Sequence, residues 1–180
     1  MAKELYYKLM TAVGAAIKGM DGVLALIAQP SGSAPHLFQI DQDNGQLDLD
    51  GLVLEPRYPM ALILDGLLDR FPNARFGVVA RGCDEWALIE LAKRHQVDLS
   101  RVELIGVACS AEQAAECRCA EPYPSKIAVG TKVAGVEDAL VAEHRRLPLE
   151  ERRAFWERLF AQCIKCYGCR NICPVCYCPA

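Results

Sequence analysis

The sequence predicts an α/β fold built on a βαβ unit, and three observations point to it. Residues 75–80 and 102–107 are short apolar runs of strand length, and between them Ala87, Leu88, Leu91 and Ala92 recur at helical spacing up to about His95. Residues 4–20 place Leu5, Leu9, Val13 and Ile17 at every fourth position, the pattern of an amphipathic helix ending near Gly19 and Gly22. The composition of the 180 residues, 52% hydrophobic, 24% charged and 7% aromatic, is that of a globular domain and excludes a disordered tail, a collagen-like fibre and a coiled coil.

After the first helix, residues 23–28 and 37–40 read as two strands separated by Gln29-Pro30-Ser31-Gly32-Ser33, a loop composition. Residues 41–50 are acidic and turn-rich. Residues 59–70 read as a helix with Pro59 at its start, where a missing N–H costs nothing. Asp84 is placed to cap the helix between the two central strands. A βαβ crossover is right-handed and its strands are parallel, so both carboxyl ends lie on one edge of the sheet. Cys83 follows the first of these ends and Cys109 the second, so both are expected to face the crevice where open α/β sheets keep their ligands. Beyond them a loop carrying Cys117-Arg118-Cys119 and Glu121-Pro122-Tyr123-Pro124 is expected to return to that crevice. A polar linker at residues 143–146 precedes a helix over residues 148–162, with Leu149, Arg152, Phe155, Trp156, Leu159, Phe160 and then Cys163 along a broad stripe. These features divide the chain into an α/β domain, residues 1–147, and a C-terminal helix with its cysteine segment, residues 148–180. There is no internal repeat and no low-complexity tract.

Twenty Lys and Arg against 23 Asp and Glu give a formal charge of −3, which argues against nucleic acid as a partner. The N-terminal stretch is broken by Lys18 before any long apolar segment forms, and no run approaches the roughly 20 apolar residues of a membrane span. A cytoplasmic protein is expected, and in a reducing compartment its ten cysteines read as metal ligands rather than disulfides. Cys163, Cys166, Cys169 and Cys173 form C-x₂-C-x₂-C-x₃-C, followed by Pro174, which is the bacterial ferredoxin run for a 4Fe-4S cubane. Close x₂ spacings let one loop fold over a face of a cubane; Gly168 permits a tight backbone there. Zinc also takes four thiolates, but its sites usually pair two separated C-x₂-C knuckles. With no second copy of the run, Cys173 is expected to close its own cluster; Cys176 and Cys178 could compete for that place, or be spare thiols.

The remaining four, Cys83, Cys109, Cys117 and Cys119, match the number a second cubane needs. The plainer alternative makes Cys83 and Cys109 small buried hydrophobes. His36, His95 and His144 share no ligand spacing and read as surface or helix-end residues. Asp84 and Glu85 most simply cap their helix. Lys165, Arg170, Arg152, Arg153 and Arg158 either offset a cluster's negative charge or dock an acidic partner, or form a plain solvated face.

Three stretches, Val79-Ala80-Arg81-Gly82-Cys83-Asp84-Glu85-Trp86-Ala87-Leu88, Ile105-Gly106-Val107-Ala108-Cys109, and Pro148 through Phe155-Trp156 to Cys176-Tyr177-Cys178, carry a family likeness. Over roughly its last 110 residues the chain resembles iron–sulfur proteins akin to the beta subunits of deazaflavin-coenzyme-reducing hydrogenases and dehydrogenases, found beside heterodisulfide-reductase-like and formate-dehydrogenase-like modules. The resemblance implies an electron-transfer subunit with a Rossmann-like α/β body, a ferredoxin-type cluster, and a second cluster site at the Cys after each central strand and a following Cys pair. That pair usually reads C-x₂-C in the family, and here it is Cys117-Arg118-Cys119. The family is also generally longer, so little room for a separate flavin domain is expected here. The functional expectation is a protein relaying single electrons through one or two 4Fe-4S clusters, as a subunit or partner of a larger oxidoreductase. Two alternatives stand beside it: a reductase subunit binding flavin at the Cys83/Cys109 crevice, although no G-x-G-x-x-G follows a strand, and a zinc-stabilised interaction module.

Overall fold

The computed structural model describes residues 3–41 and 45–173. In chain order these form α1 (Lys3–Ala16) with a 3₁₀ turn (Ile17–Gly19), β1 (Gly22–Gln29), β2 (Gly32–Phe38), β3 (Leu52–Val53), α2 (Met60–Arg70), β4 (Phe76–Ala80) and α3 (Gly82–Lys93). A second 3₁₀ turn (Leu99–Arg101) then leads into β5 (Val102–Gly106), α4 (Ala111–Cys117), α5 (Ala139–Arg146), α6 (Leu149–Ala161) and α7 (Gly168–Ile172).

The sheet is mixed, in the order β2-β1-β4-β5. β1, β4 and β5 are parallel, with Gly22 opposite Phe76 and Phe76 opposite Val102. β2 runs antiparallel along one edge of β1, and the far half of the other edge takes β3 at Leu26 and Ile27. The central strands are buried on both faces, which is why they read as unbroken apolar runs rather than alternating ones. Leu24, Leu26, Val78 and Ala80 pack on α2 and α3 through Ala61, Leu64, Leu68, Ala87, Leu88 and Leu91. Val23, Ala25, Val79 and Ile105 face the opposite way, onto Leu9, Val13 and Ile17, the fourfold stripe of the N-terminal helix.

Several expectations are corrected. The second strand begins at Gly32 rather than Leu37, because Gln29 pairs with Gly32 and the connection shrinks to Pro30-Ser31. Pro35 sits inside it, tolerated because the strand lies at the edge of the sheet. The segment after Cys109 is not all loop: α4 occupies Ala111–Cys117. The linker at residues 143–146 belongs to α5, whose N-terminus Asp138 caps by accepting from Leu140 N–H. Asp84 is not the first residue before its helix but sits one turn in, from where its carboxylate accepts from the Arg81 backbone N–H at 3.0 Å and from Met60 N–H at 3.0 Å. One buried carboxylate thereby fastens the starts of α2 and α3 together. Glu85 does not cap; it accepts from Ser125 N–H at 2.7 Å and from the Ser125 hydroxyl.

The stretch after α4 lies hard against the carboxyl ends of the central strands. Val129 N–H donates to Gly106 O at 3.0 Å, Ala108 N–H to Val129 O at 2.9 Å and Cys109 N–H to Pro122 O at 2.8 Å, while Pro122 and Pro124 are fully buried. Gly106 is required by this approach: a Cβ there would lie 1.9 Å from the Lys126 carbonyl oxygen. Gly106→Ala is therefore expected to cost about 3 kcal/mol and to lower Tm by roughly 6–12 °C, read by thermal melting; an unchanged melt would show that the returning loop can lift away freely.

Candidate metal centre

Four cysteines lie along this rim, within electrostatic reach of one another through Cys109. Cys83 lies in the first turn of α3, after Arg81, the backbone of which leaves β4 in extended conformation. Cys109 follows the end of β5, one residue before Ser110, which starts α4 with a reciprocal cap: Ser110 Oγ accepts from Gln113 N–H at 3.2 Å and Gln113 Oε1 from Ser110 N–H at 2.9 Å. Cys117 is the last residue of α4, and Arg118 turns the chain with a left-handed φ of 48°. Cys119 N–H donates back to Ala114 O at 2.9 Å and Arg118 N–H to Ala115 O at 3.2 Å, the paired bonds of a Schellman ending. The left-handed Arg118 reverses the chain between Cys117, in α4, and Cys119, just beyond it.

Cys109 is the hub. It senses Cys119 and Cys117 electrostatically, and Cys83 senses Cys109. Burial pushes the Cys109 thiol up. At Cys83 desolvation is again the largest cause, reinforced by the Asp84 carboxylate, and the thiol is pushed up to about 11 although the residue as a whole is exposed. Thiols of this kind are protonated and poor nucleophiles near neutral pH. Opposing the rise are the Asp84 backbone N–H at Cys83 and the Arg81 guanidinium near both Cys83 and Cys109. Arg57 Nη1 donates to Cys117 Sγ. Arg57 carried no sequence signal, lying 60 positions from its cysteine.

The terminal cysteines form a separate segment. α6 matches the expected helix within a residue; of its stripe, Phe155 and Trp156 lie against His144 of α5, to whose Nε2 Trp156 Nε1 donates at 3.2 Å, while Leu149, Leu159 and Phe160 are exposed. The run then turns through two left-handed residues, Lys165 and Tyr167, with φ of 55° and 60°, so the tight backbone expected at Gly168 falls on its neighbours, and Gly168 starts α7. Lys165 N–H lies 3.4 Å from Cys163 Sγ. Cys163, Cys166 and Cys169 are exposed and Cys173 half-buried. Pro174, Cys176 and Cys178 lie outside the described residues.

The donor set at both places suits thiophilic metal: eight free thiols, with N–H groups or guanidinium charge directed at sulfur in each group. Among the described residues, no three His, Cys, Asp or Glu side chains gather tightly enough to grip a single metal ion. A cavity of about 580 Å³ opens beside the rim, lined among others by Leu54, Glu55, Arg81, Cys109, Gln113 and Thr131.

No family model matches the chain. Over 106 residues it is 26% identical to F420-dependent formate dehydrogenase 1 subunit beta of Methanococcus maripaludis, a match covering 57% of this chain and 25% of that protein. The chain is thus similar, over part of its length, to an oxidoreductase subunit. A second relative agrees: over 71 residues it is 32% identical to F420-dependent formate dehydrogenase subunit beta of Methanocaldococcus jannaschii, covering 38% of this chain and 19% of that protein. The matches span a quarter or less of the length of these relatives. Among the described residues no helix is long and apolar enough to cross a membrane.

Proposed function

We propose that the chain is a cytoplasmic iron–sulfur electron-transfer protein, working as a subunit or partner of a larger oxidoreductase. In this reading Cys163, Cys166, Cys169 and Cys173 hold one 4Fe-4S cluster, at the end of residues 148–180, and Cys83, Cys109, Cys117 and Cys119 hold a second on a Rossmann-like body, residues 1–147. The observation that carries it is the C-x₂-C-x₂-C-x₃-C run of the tail, joined by Cys83 on one stretch of chain and Cys117 and Cys119 on another, all within electrostatic reach of Cys109. When bound, each cluster would supply one-electron oxidation and reduction.

Everything else is done by the chain. The strand ends and the Schellman turn fix where the thiols stand, and they would hold a cluster as thiolates. Backbone N–H groups and arginines then compensate thiolate charge. Both a cubane and a zinc ion take four thiolates; the C-x₂-C-x₂-C-x₃-C run, rather than two separated C-x₂-C knuckles, is what favours the cubane. The likeness to formate dehydrogenase beta subunits supports an oxidoreductase as the partner.

Protein purified without oxygen is expected to be brown, with broad visible absorption that bleaches under dithionite; colourless protein would favour zinc. The cavity beside Cys109 favours one second reading, a bound flavin, since its 580 Å³ is within the range of ligand sites. Resolved flavin peaks in the same spectrum, released on denaturation, would establish it.

A further inference from the structure

Two arginines are held against the upper group of cysteines in a way the fold itself does not require. Arg57 leaves the loop between β3 and α2, and its guanidinium forks between Cys117 Sγ and Glu116 Oε2, the latter at 2.8 Å. Arg81 is only 9% exposed; Nη2 donates to Leu54 O at 2.9 Å and to Glu55 Oε1 at 2.8 Å, while its buried Nε has no partner. It lines the same cavity as Cys109 and directly precedes the turn of α3 that carries Cys83. Glu55 is itself fixed by Gln113 of α4. Each guanidinium is thus braced by a glutamate, Arg57 turned to the Cys117 sulfur and Arg81 lining the cavity beside Cys109.

A cluster gains one negative charge on reduction. A fixed cation close to its ligands stabilises the reduced form more than the oxidised one and raises the potential, most strongly where water is excluded. We propose that Arg57 and Arg81 are positioning residues that set the reduction potential of the cluster held by Cys83, Cys109, Cys117 and Cys119, with Glu116 and Glu55 setting how much of that positive charge the cluster feels. This rests on the second cluster put forward above. Arg57 is the one to vary, since it stands at the surface and contributes nothing to either hydrophobic core.

The test is a potentiometric titration of the anaerobic full-length chain followed by electron paramagnetic resonance, with iron counted in each sample. The transition that vanishes in Cys166→Ser belongs to the terminal cluster and serves as internal reference. Arg57→Gln is expected to move the other transition to lower potential, Arg57→Lys to restore most of the shift, and Glu116→Gln to move it upward, all with the reference unmoved. Full iron with no shift in Arg57→Gln, or shifts of the same sign in Arg57→Gln and Glu116→Gln, overturns the proposal. About four iron in the unmodified chain would instead remove the second cluster itself, and the proposal with it.

Discussion

Cys166→Ser is expected to strip the terminal cluster, halving the iron from about eight to about four per chain and removing about half of the visible absorption. Cys166 is the second thiolate of the run, and neither Cys163 nor Cys169 can reach its place without giving up its own. The rest of the molecule should be indifferent. Among the described side chains, none of α6 or α7 belongs to either hydrophobic core, and the sheet is covered by α1, α2 and α3. Far-ultraviolet circular dichroism should therefore be nearly unchanged, and an unchanged visible spectrum would contradict the assignment of the run.

Cys109→Ser should produce the complementary loss. About four iron remain, those of the terminal cluster, and the remaining signal should be the one that Cys166→Ser removes. Here folding should suffer too. A group bound by Cys83, Cys109, Cys117 and Cys119 ties the start of α3, the exit of β5 and the end of α4 to one another, and anything bound only by the folded state stabilises it. The variant should melt below the parent loaded with both clusters, whereas in metal-free protein the two should melt nearly together, since Ser is close in size to Cys and the position is half-buried. Full iron content in Cys109→Ser would show that this cysteine is only packing.

The central strands were legible because burial on both faces leaves an unbroken apolar run, and α1 because it covers the sheet with a single stripe. What escaped was structure whose signal lies in polar residues. Ser110 and Gln113 form a capping box that announces α4, yet the helix lasts only Ala111–Cys117, too short to show periodicity. The first five residues of the edge strand β2 are Gly, Ser, Ala, Pro and His, and only their pairing with the apolar β1 makes them strand, whereas Leu37 and Phe38 were legible as one. The meeting of Cys83 with Cys109 followed from βαβ topology alone. The return of Cys117 and Cys119 needed the buried Pro122 and Pro124 and the clearance at Gly106, which are facts of packing. Arg57 was beyond reach for the same reason: its contact with Cys117 joins a loop before α2 to a helix end after β5.

The most direct measurement is iron and acid-labile sulfide on protein purified anaerobically with no reconstitution. About eight of each per chain is the predicted result. Protein lacking both, or carrying zinc without sulfide, would contradict the account.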